Sequence, residues 1–270
     1  MPDLILIETS TSLCSAALAR NGKIVCSRES AQPRAHASMT APFVKQLLDE
    51  AGMKAEDLDA VCVSSGPGSY TGLRVGVSTA KGLCFATGRP LVSVNTLDIL
   101  VNRALRDRLL PEGCRYVIPM IDARRMEVYT RVYRICADAA VPEGEISPVV
   151  VDGNSFAAQR GEGPVLFIGD GAQKCSEVLA AEGATFFQTM PDATAMLEPA
   201  LDAWNKKRFE DTAYFEPFYL NSLSRLCPGK IYFNILATVL RRSPRLLMLP
   251  VSVTSSPSRM KKEVGRFATE

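Results

Sequence analysis

Residues 4–20 read LILIETSTSLCSAALAR, and residues 118–134 read IPMIDARRMEVYTRVYR. Each stretch is an apolar strand that ends in an acid, followed by a polar turn and a second strand. The acids are Glu8 and Asp122, and the two stretches start 114 residues apart, at Leu4 and Ile118. The repeated strand–turn–strand unit predicts a duplicated α/β chain with two similar lobes.

Alternating strands and helices continue outward from the first unit. Asn21-Gly22 is a strong two-residue hairpin signal. An amphipathic helix is predicted from a cap at Ser38 to Gly52, and a second helix from the Gly66–Gly72 turn to Thr87. The predicted domains are an N-terminal lobe (residues 1–108), a C-terminal lobe (109–221) and a basic tail (222–270).

Charge separates the tail from the rest of the 270-residue chain. Nine Lys/Arg and two acids between Ser222 and Glu270 give the tail +7, while the whole chain carries only +2. Residues 1–221 therefore carry −5. A basic tail favours binding to a nucleic-acid backbone by counterion release. A change of reading frame near the end of the gene produces the same abrupt shift in composition, so the role of the tail stays open.

Histidine and cysteine usage excludes several kinds of site. His36 is the only histidine, so sites that need two imidazoles within this chain are excluded. The eight cysteines never form C-x-x-C, which indicates reduced thiols in a cytoplasmic protein. No apolar run is long enough for a membrane span, and the N-terminus lacks the basic region of a secretory signal.

Four motifs of the sequence resemble one protein family. They are LILIETSTS (4–12), SSGPGSYTGLRVG (64–76), VSVNTL (92–97) and IDARRMEVY (121–129). Together they resemble the TsaB (YeaZ) family of the actin-like superfamily, most densely over residues 4–133, with a thinner likeness up to Leu220. The resemblance implies a duplicated actin-like (ASKHA, ribonuclease H-like) two-lobe fold.

The resemblance also implies a function. TsaB-type proteins are scaffold subunits without catalysis of their own in bacterial tRNA threonylcarbamoyladenosine (t(6)A) modification. They pair with the catalytic subunit TsaD, recruit the ATPase TsaE, form homodimers when alone and meet tRNA through the complex. The family therefore implies no cofactor in the isolated chain, with ATP or ADP and a metal held by the partner subunits.

The second predicted helix carries small residues at every fourth position, Gly72, Gly76 and Ala80. Two glycines on one helix face cost about 1 kcal/mol each, so a close backbone approach is expected there. Packing within the lobe is one explanation of this close approach, and contact with a helix of a partner protein is the other. The resemblance favours the partner helix. The predicted partner interface comprises Phe43, Leu47, Gly72, Leu73, Gly76, Val77 and Ala80.

A vestigial phosphate or nucleotide site is the second candidate. Its residues are Glu8, Thr9, Ser10, Asp122, Gly169 and Gly171, at the ends of predicted strands. The hydroxyls suit an anion, and the acids stand where an actin-like enzyme places its carboxylates. Alternatively, these groups only satisfy the backbone of their turns. Two other functions stay open: an actin-like ATP-dependent phosphotransferase that uses Asp122, and a peptidase, for which no G-x-S-x-G elbow is present.

Overall fold

The computed structural model describes residues 1–137 and 139–219. Contacts divide the chain into two units, Met1–Leu220 and Asn221–Glu270. The basic tail predicted at 222–270 lies outside the described residues, and its role therefore stays a prediction. Within the described residues, no helix is long and apolar enough to cross a bilayer.

The first sheet is built from the N-terminal part of the chain. Its strands are β1 (Leu4–Glu8), β2 (Cys14–Arg20), β3 (Lys23–Ser30), β4 (Ala60–Gly66) and β5 (Leu91–Asn95). Their order is β3-β2-β1-β4-β5. Strand β2 runs antiparallel to both of its neighbours, β1 and β3, whereas β4 and β5 run parallel to β1. The predicted hairpin turn is confirmed at Asn21-Gly22, where both residues have positive φ (51° and 74°).

The second sheet repeats this topology. Its strands are β6 (Tyr116–Asp122), β7 (Glu127–Cys136), β8 (Ala139–Val150), β9 (Val165–Gly169) and β10 (Ala184–Gln188). Their order is β10-β9-β6-β7-β8, again with an antiparallel meander beside two parallel strands. The chain therefore has the duplicated actin-like, ribonuclease H-like α/β fold, and that expectation is confirmed.

The described residues contain six α-helices, of which the first five lie between strands and the sixth follows the last strand. They are α1 (Ala35–Ala51), α2 (Tyr70–Thr87), α3 (Thr96–Arg106), α4 (Ala157–Glu162), α5 (Ala172–Leu179) and α6 (Leu197–Asn205). Helix α2 starts at Ser69, whose hydroxyl accepts the Gly72 N–H, and ends at Gly88 in the left-handed conformation. The predicted cap of α1 at Ser38 is wrong. The helix starts one turn earlier, and Ser38 Oγ donates to the Ala35 carbonyl within it.

The helices do not follow the predicted boundary at residue 108. Helices α1 and α2 cover one face of the first sheet, whereas its other face is covered by residues 193–205 from the C-terminal part of the chain. Helix α3, from the N-terminal part, packs on the second sheet, whose opposite face is covered by α5. Each sheet thus completes its core with a helix from the other half of the sequence.

The last described residues return to the first lobe. Glu210 N–H donates to the Leu91 carbonyl (2.9 Å), and Phe218 N–H donates to the Ser65 carbonyl (2.7 Å). Between them, Lys81 Nζ of α2 donates to the carbonyls of Ala213 (3.0 Å) and Phe215 (3.1 Å). This segment, residues 210–219, ties the C-terminal part of the described chain to α2.

Candidate functional site

The turn after β1 is enclosed by protein. Glu8 and Thr9 have no exposed surface, and Ser10 and Thr11 are 1% and 5% exposed. Ser10 N–H donates to Glu8 Oε1 (2.5 Å), and Thr9 N–H points at Ser64 Oγ of β4 at 3.4 Å. The turn therefore presents no surface to an outside anion, and its backbone N–H groups at Thr9 and Ser10 are directed at side-chain oxygens of Ser64 and Glu8.

Helix α2 closes this turn through its glycines. A Cβ on Gly72 would overlap the Thr9 carbonyl oxygen, and one on Gly76 would overlap Thr9 Oγ1. Gly68, just before the helix, lies equally close to the Ser10 carbonyl. The close approach predicted from the glycine spacing is therefore present, but it joins α2 to a turn of the same lobe rather than to another helix.

The other residues of the predicted interface also lie inside the first lobe. All seven residues are buried, with at most 5% exposure for the five non-glycine side chains, which are Phe43, Leu47, Leu73, Val77 and Ala80. Of the two interpretations of the glycine face, packing within the lobe is the one that the structure shows. An interface on α1 and α2 would have to use the opposite, exposed faces of these helices.

Burial sets the charge state of Glu8. Desolvation raises the pKa of its carboxyl from 4.5 to about 7, although the Ser10 N–H and the nearby hydroxyls of Ser10 and Ser64 favour the anion. The negative charge of Asp192 raises this pKa further. Glu8 Oε2 and the hydroxyl oxygens of Thr9, Ser10 and Thr11 have no hydrogen-bond partner among the described residues. The turn is thus a buried polar cluster with incomplete hydrogen bonding.

The turn after β6 is the equivalent position in the second lobe, and it is open. The Asp122 side chain is 46% exposed, and its Oδ1 accepts from Lys174 Nζ of α5 and from Arg124 N–H (2.8 Å). Arg124 and Arg125 both have positive φ, 70° and 47°. Here charge is retained at the surface, because lysine and solvent both stabilise the carboxylate.

The predicted strand–helix cradle at Gly169 and Gly171 packs against β6. Gly169 has a φ of +133°, and a Cβ there would overlap the Met120 carbonyl. Gly171 N–H already donates to that carbonyl (3.0 Å), and Gln173 N–H donates to Gln188 Oε1 (3.0 Å). Burial raises the pKa of the intervening Asp170 to about 6. Two amides at the start of α5 are therefore engaged within the protein.

The exposed groove between α1 and α2 was missed by the sequence analysis. It has a volume of about 610 Å³ and is lined by Ala41, Val44 and Leu48 from α1 and by Thr79, Gly82, Leu83 and Ala86 from α2, among others. Phe85, on the neighbouring exposed face of α2, is 90% exposed. Phe85 falls outside the buried stripe of the helix, and this mismatch was the signal in the sequence that could have found the groove.

Comparison with known proteins places these features in a family. The family model "TsaD: tRNA N6-adenosine threonylcarbamoyltransferase" matches residues 24–209. The tRNA threonylcarbamoyladenosine biosynthesis protein TsaB of Bacillus subtilis is 31% identical, with alignment of 67% of this chain and 78% of the relative. The chain belongs to the TsaB (YeaZ) family.

Two further TsaB-family relatives match nearly throughout their own length. TsaB of Escherichia coli K12 is 29% identical over 84% of this chain and 99% of that protein. The crystal structure of YeaZ from Pseudomonas aeruginosa is similar with a TM-score of 0.72 and 31% identity, covering 82% of this chain and all of that one. The resemblance to the TsaB family stated from the motifs is confirmed.

Proposed function

We propose that this chain takes part in the biosynthesis of threonylcarbamoyladenosine in tRNA as a non-catalytic subunit of the modifying complex. The TsaB-family relatives from E. coli and B. subtilis bear the name of this process. The observation that supports a non-catalytic role is the closed turn after β1. Glu8 and Thr9 are fully buried and α2 packs on their backbone, so this turn offers no surface to a phosphate.

The proposed partner is a TsaD-like catalytic subunit, bound at the α1–α2 groove. Small residues such as Ala41, Gly82 and Ala86 let another helix approach closely, and Phe85 offers a large apolar side chain beside it. In the absence of that subunit, the same face pairs with a second copy of the chain. A TsaE-like ATPase and tRNA join through the complex, and ATP or ADP and a metal belong to the partner subunits.

One substitution tests the groove without disturbing the lobe. Nothing lies within 4 Å of a Cβ built on Gly82, so Gly82→Glu fits sterically and places a charge in the apolar groove. We expect the variant to keep or slightly raise its melting temperature through helix propensity, to lose co-purification with the TsaD-like subunit, and to fail in a reconstituted tRNA modification assay. Gly161→Glu, in α4 of the second lobe and equally uncrowded, is the matched control.

Undiminished capture of the TsaD-like subunit by Gly82→Glu would place the interface elsewhere. Omitting each subunit in turn from the modification assay tests the wider proposal, since activity without this chain would contradict it. The isolated chain is also expected neither to hydrolyse ATP nor to retain zinc after dialysis. ATP turnover that Asp122→Asn abolishes would instead support the phosphotransferase alternative.

A further inference from the structure

Glu8 is a fully buried carboxyl that neither the fold nor the proposed function accounts for. Its Oε1 accepts the Ser10 N–H, whereas its Oε2 has no hydrogen-bond partner among the described residues. A buried charge without a partner is strongly unfavourable, so such a group is neutralised by a counter-charge or by a proton. The residues packed around Glu8 therefore decide between a counter-charge and a proton.

Among the described residues, no cationic side chain forms an ion pair with Glu8. Helix α2 contributes glycine backbone at this point, and β4 contributes the Ser64 hydroxyl. Strand β2 contributes the Cys14 thiol, whose pKa burial raises, so that it is neutral. Asp192, which precedes the short helix Ala193–Met196, is an anion whose Oδ2 is engaged by Arg103 Nη1 of α3 (2.9 Å). Arg106 of α3 also approaches Asp192, with its Nη2 3.7 Å from Oδ2.

Close packing favours a proton over a hydrated cation. The backbone of α2 lies directly on Thr9 and Ser10, where a single additional methyl group at Gly68, Gly72 or Gly76 would overlap the turn. A proton occupies no such volume, and it makes Oε2 a hydrogen-bond donor in a turn whose hydroxyl oxygens at Thr9, Ser10 and Thr11 lack partners among the described residues.

We propose that Glu8 of the folded protein holds a proton on Oε2 at mildly acidic pH and that this proton keeps the turn after β1 packed against α2. Loss of the proton to solvent leaves a carboxylate whose second oxygen lacks a donor, which favours opening of the turn. The turn is joined to the start of α2 directly, because Ser69 N–H donates to the Ser10 carbonyl (2.6 Å). Rising pH therefore loosens the helix that also forms the α1–α2 groove. The consequence for partner binding rests on the proposed function.

Infrared difference spectroscopy of the full chain tests the proton. We expect the carbonyl band of a protonated carboxyl group, which disappears as the pH rises with a midpoint near 7. This band should be missing in Glu8→Gln. It should be unchanged in the control Glu29→Gln, which alters an exposed glutamate of the same lobe. Asp170, whose pKa burial raises to about 6, should contribute a separate band with a lower midpoint to the wild type and the variants alike. A band with a midpoint near 7 that persists in Glu8→Gln, or the lack of such a band in the wild type, overturns the assignment. If Glu8→Gln does not fold, carboxyl NMR of the wild type decides. Titration of every glutamate below about pH 5.5 overturns the proposal.

Hydrogen exchange of residues 70–87 tests the coupling to α2. The ratio of wild-type to Glu8→Gln exchange rates in this helix should rise severalfold between about pH 6 and pH 8, because only the wild type loses the buried proton. A ratio that stays constant overturns the coupling. In parallel, wild-type capture of the TsaD-like subunit should weaken over this range while Glu8→Gln capture stays constant. If capture by the wild type and by Glu8→Gln depends equally on pH, the proposed effect of the proton on partner binding is wrong. If neither protein captures the subunit at any pH, the proposed function itself is contradicted.

Discussion

The turns after β1 and β6 occupy the same place in two copies of one topology, and they have opposite environments. The first is buried, with Glu8 enclosed beneath the 18-residue helix α2 and its pKa raised by desolvation. The second is exposed, and its Asp122 pairs with Lys174 of the eight-residue helix α5. Topology thus determines where a strand ends, whereas the helix packed against the turn decides whether a carboxyl group there is buried or exposed.

The two lobes also differ in what completes them. The first sheet depends on residues 193–205 for one of its faces, and the second sheet depends on α3. The Arg103–Asp192 ion pair joins α3 to the segment that crosses to the first sheet, and the Asp192 side chain is only 8% exposed. The lobes are therefore similar in pattern, and each is completed by a segment from the other half of the sequence.

Separating the halves should have the largest effect. Expressed alone, residues 1–108 should show no cooperative thermal unfolding, because Leu4, Leu6 and Val92 would lose the helix α6 that covers them. Circular dichroism melts of this fragment and of the full chain provide the measurement. A cooperative melt of the fragment would show that the first lobe is autonomous and would remove this part of the comparison.

The buried acid of the first turn should make stability depend on pH. The pKa of Glu8 is raised from 4.5 to about 7 in the folded state, so the folded protein retains a proton that the unfolded chain has lost between these values. The free energy of unfolding should therefore fall by about 3 kcal/mol as the pH rises through this window, and level off above it.

Glu8→Gln isolates this contribution. Urea melts of the wild type and the variant between about pH 5 and pH 8 should show that the decrease assigned to Glu8 is missing in the variant. The buried Asp170 of the second lobe contributes its own pH dependence to both proteins, because burial raises its pKa to about 6. If the wild type and the variant gave parallel pH profiles, the pKa of Glu8 would be the same in the folded and the unfolded chain.

Alanine at equivalent glycines compares the packing of the two turns. Gly72→Ala should destabilise by about 1–3 kcal/mol, because its methyl group meets the backbone of Thr9. Gly171→Ala should cost less, since its nearest neighbour is a movable side-chain atom, Val128 Cγ1, at 3.0 Å. Gly82→Ala, with open space around it, should stabilise by about 0.5–1 kcal/mol through helix propensity alone. Thermal or urea melts that reverse this order would contradict the packing described for α2.

The exposed ion pair of the second turn should matter least. Lys174→Met should change stability by less than about 1 kcal/mol, since the Asp122 carboxylate is half exposed and remains solvated without its partner. A salt titration of the melting temperature provides the measurement, because the wild type should approach the variant at high ionic strength. A loss as large as that of Gly72→Ala would show that this turn is as tightly constrained as the first.

Local patterns in the sequence determined much of this architecture. The strand–turn–strand repeat, the Asn21-Gly22 hairpin and the end of α2 at Gly88 follow from periodicity and turn chemistry, which act over a few residues. The motifs around residues 64–76 and 121–129 were equally sufficient to indicate the family.

Tertiary structure alone decided what the patterned faces contact. The spacing of Gly72 and Gly76 predicts a close approach but cannot name its partner, which is a turn more than sixty residues earlier, at Thr9. The burial of Glu8 and the covering of the first sheet by residues 193–205 likewise depend on distant segments. Helical periodicity reports that a face is buried, whereas the identity of its neighbour depends on how the whole chain closes around its cores.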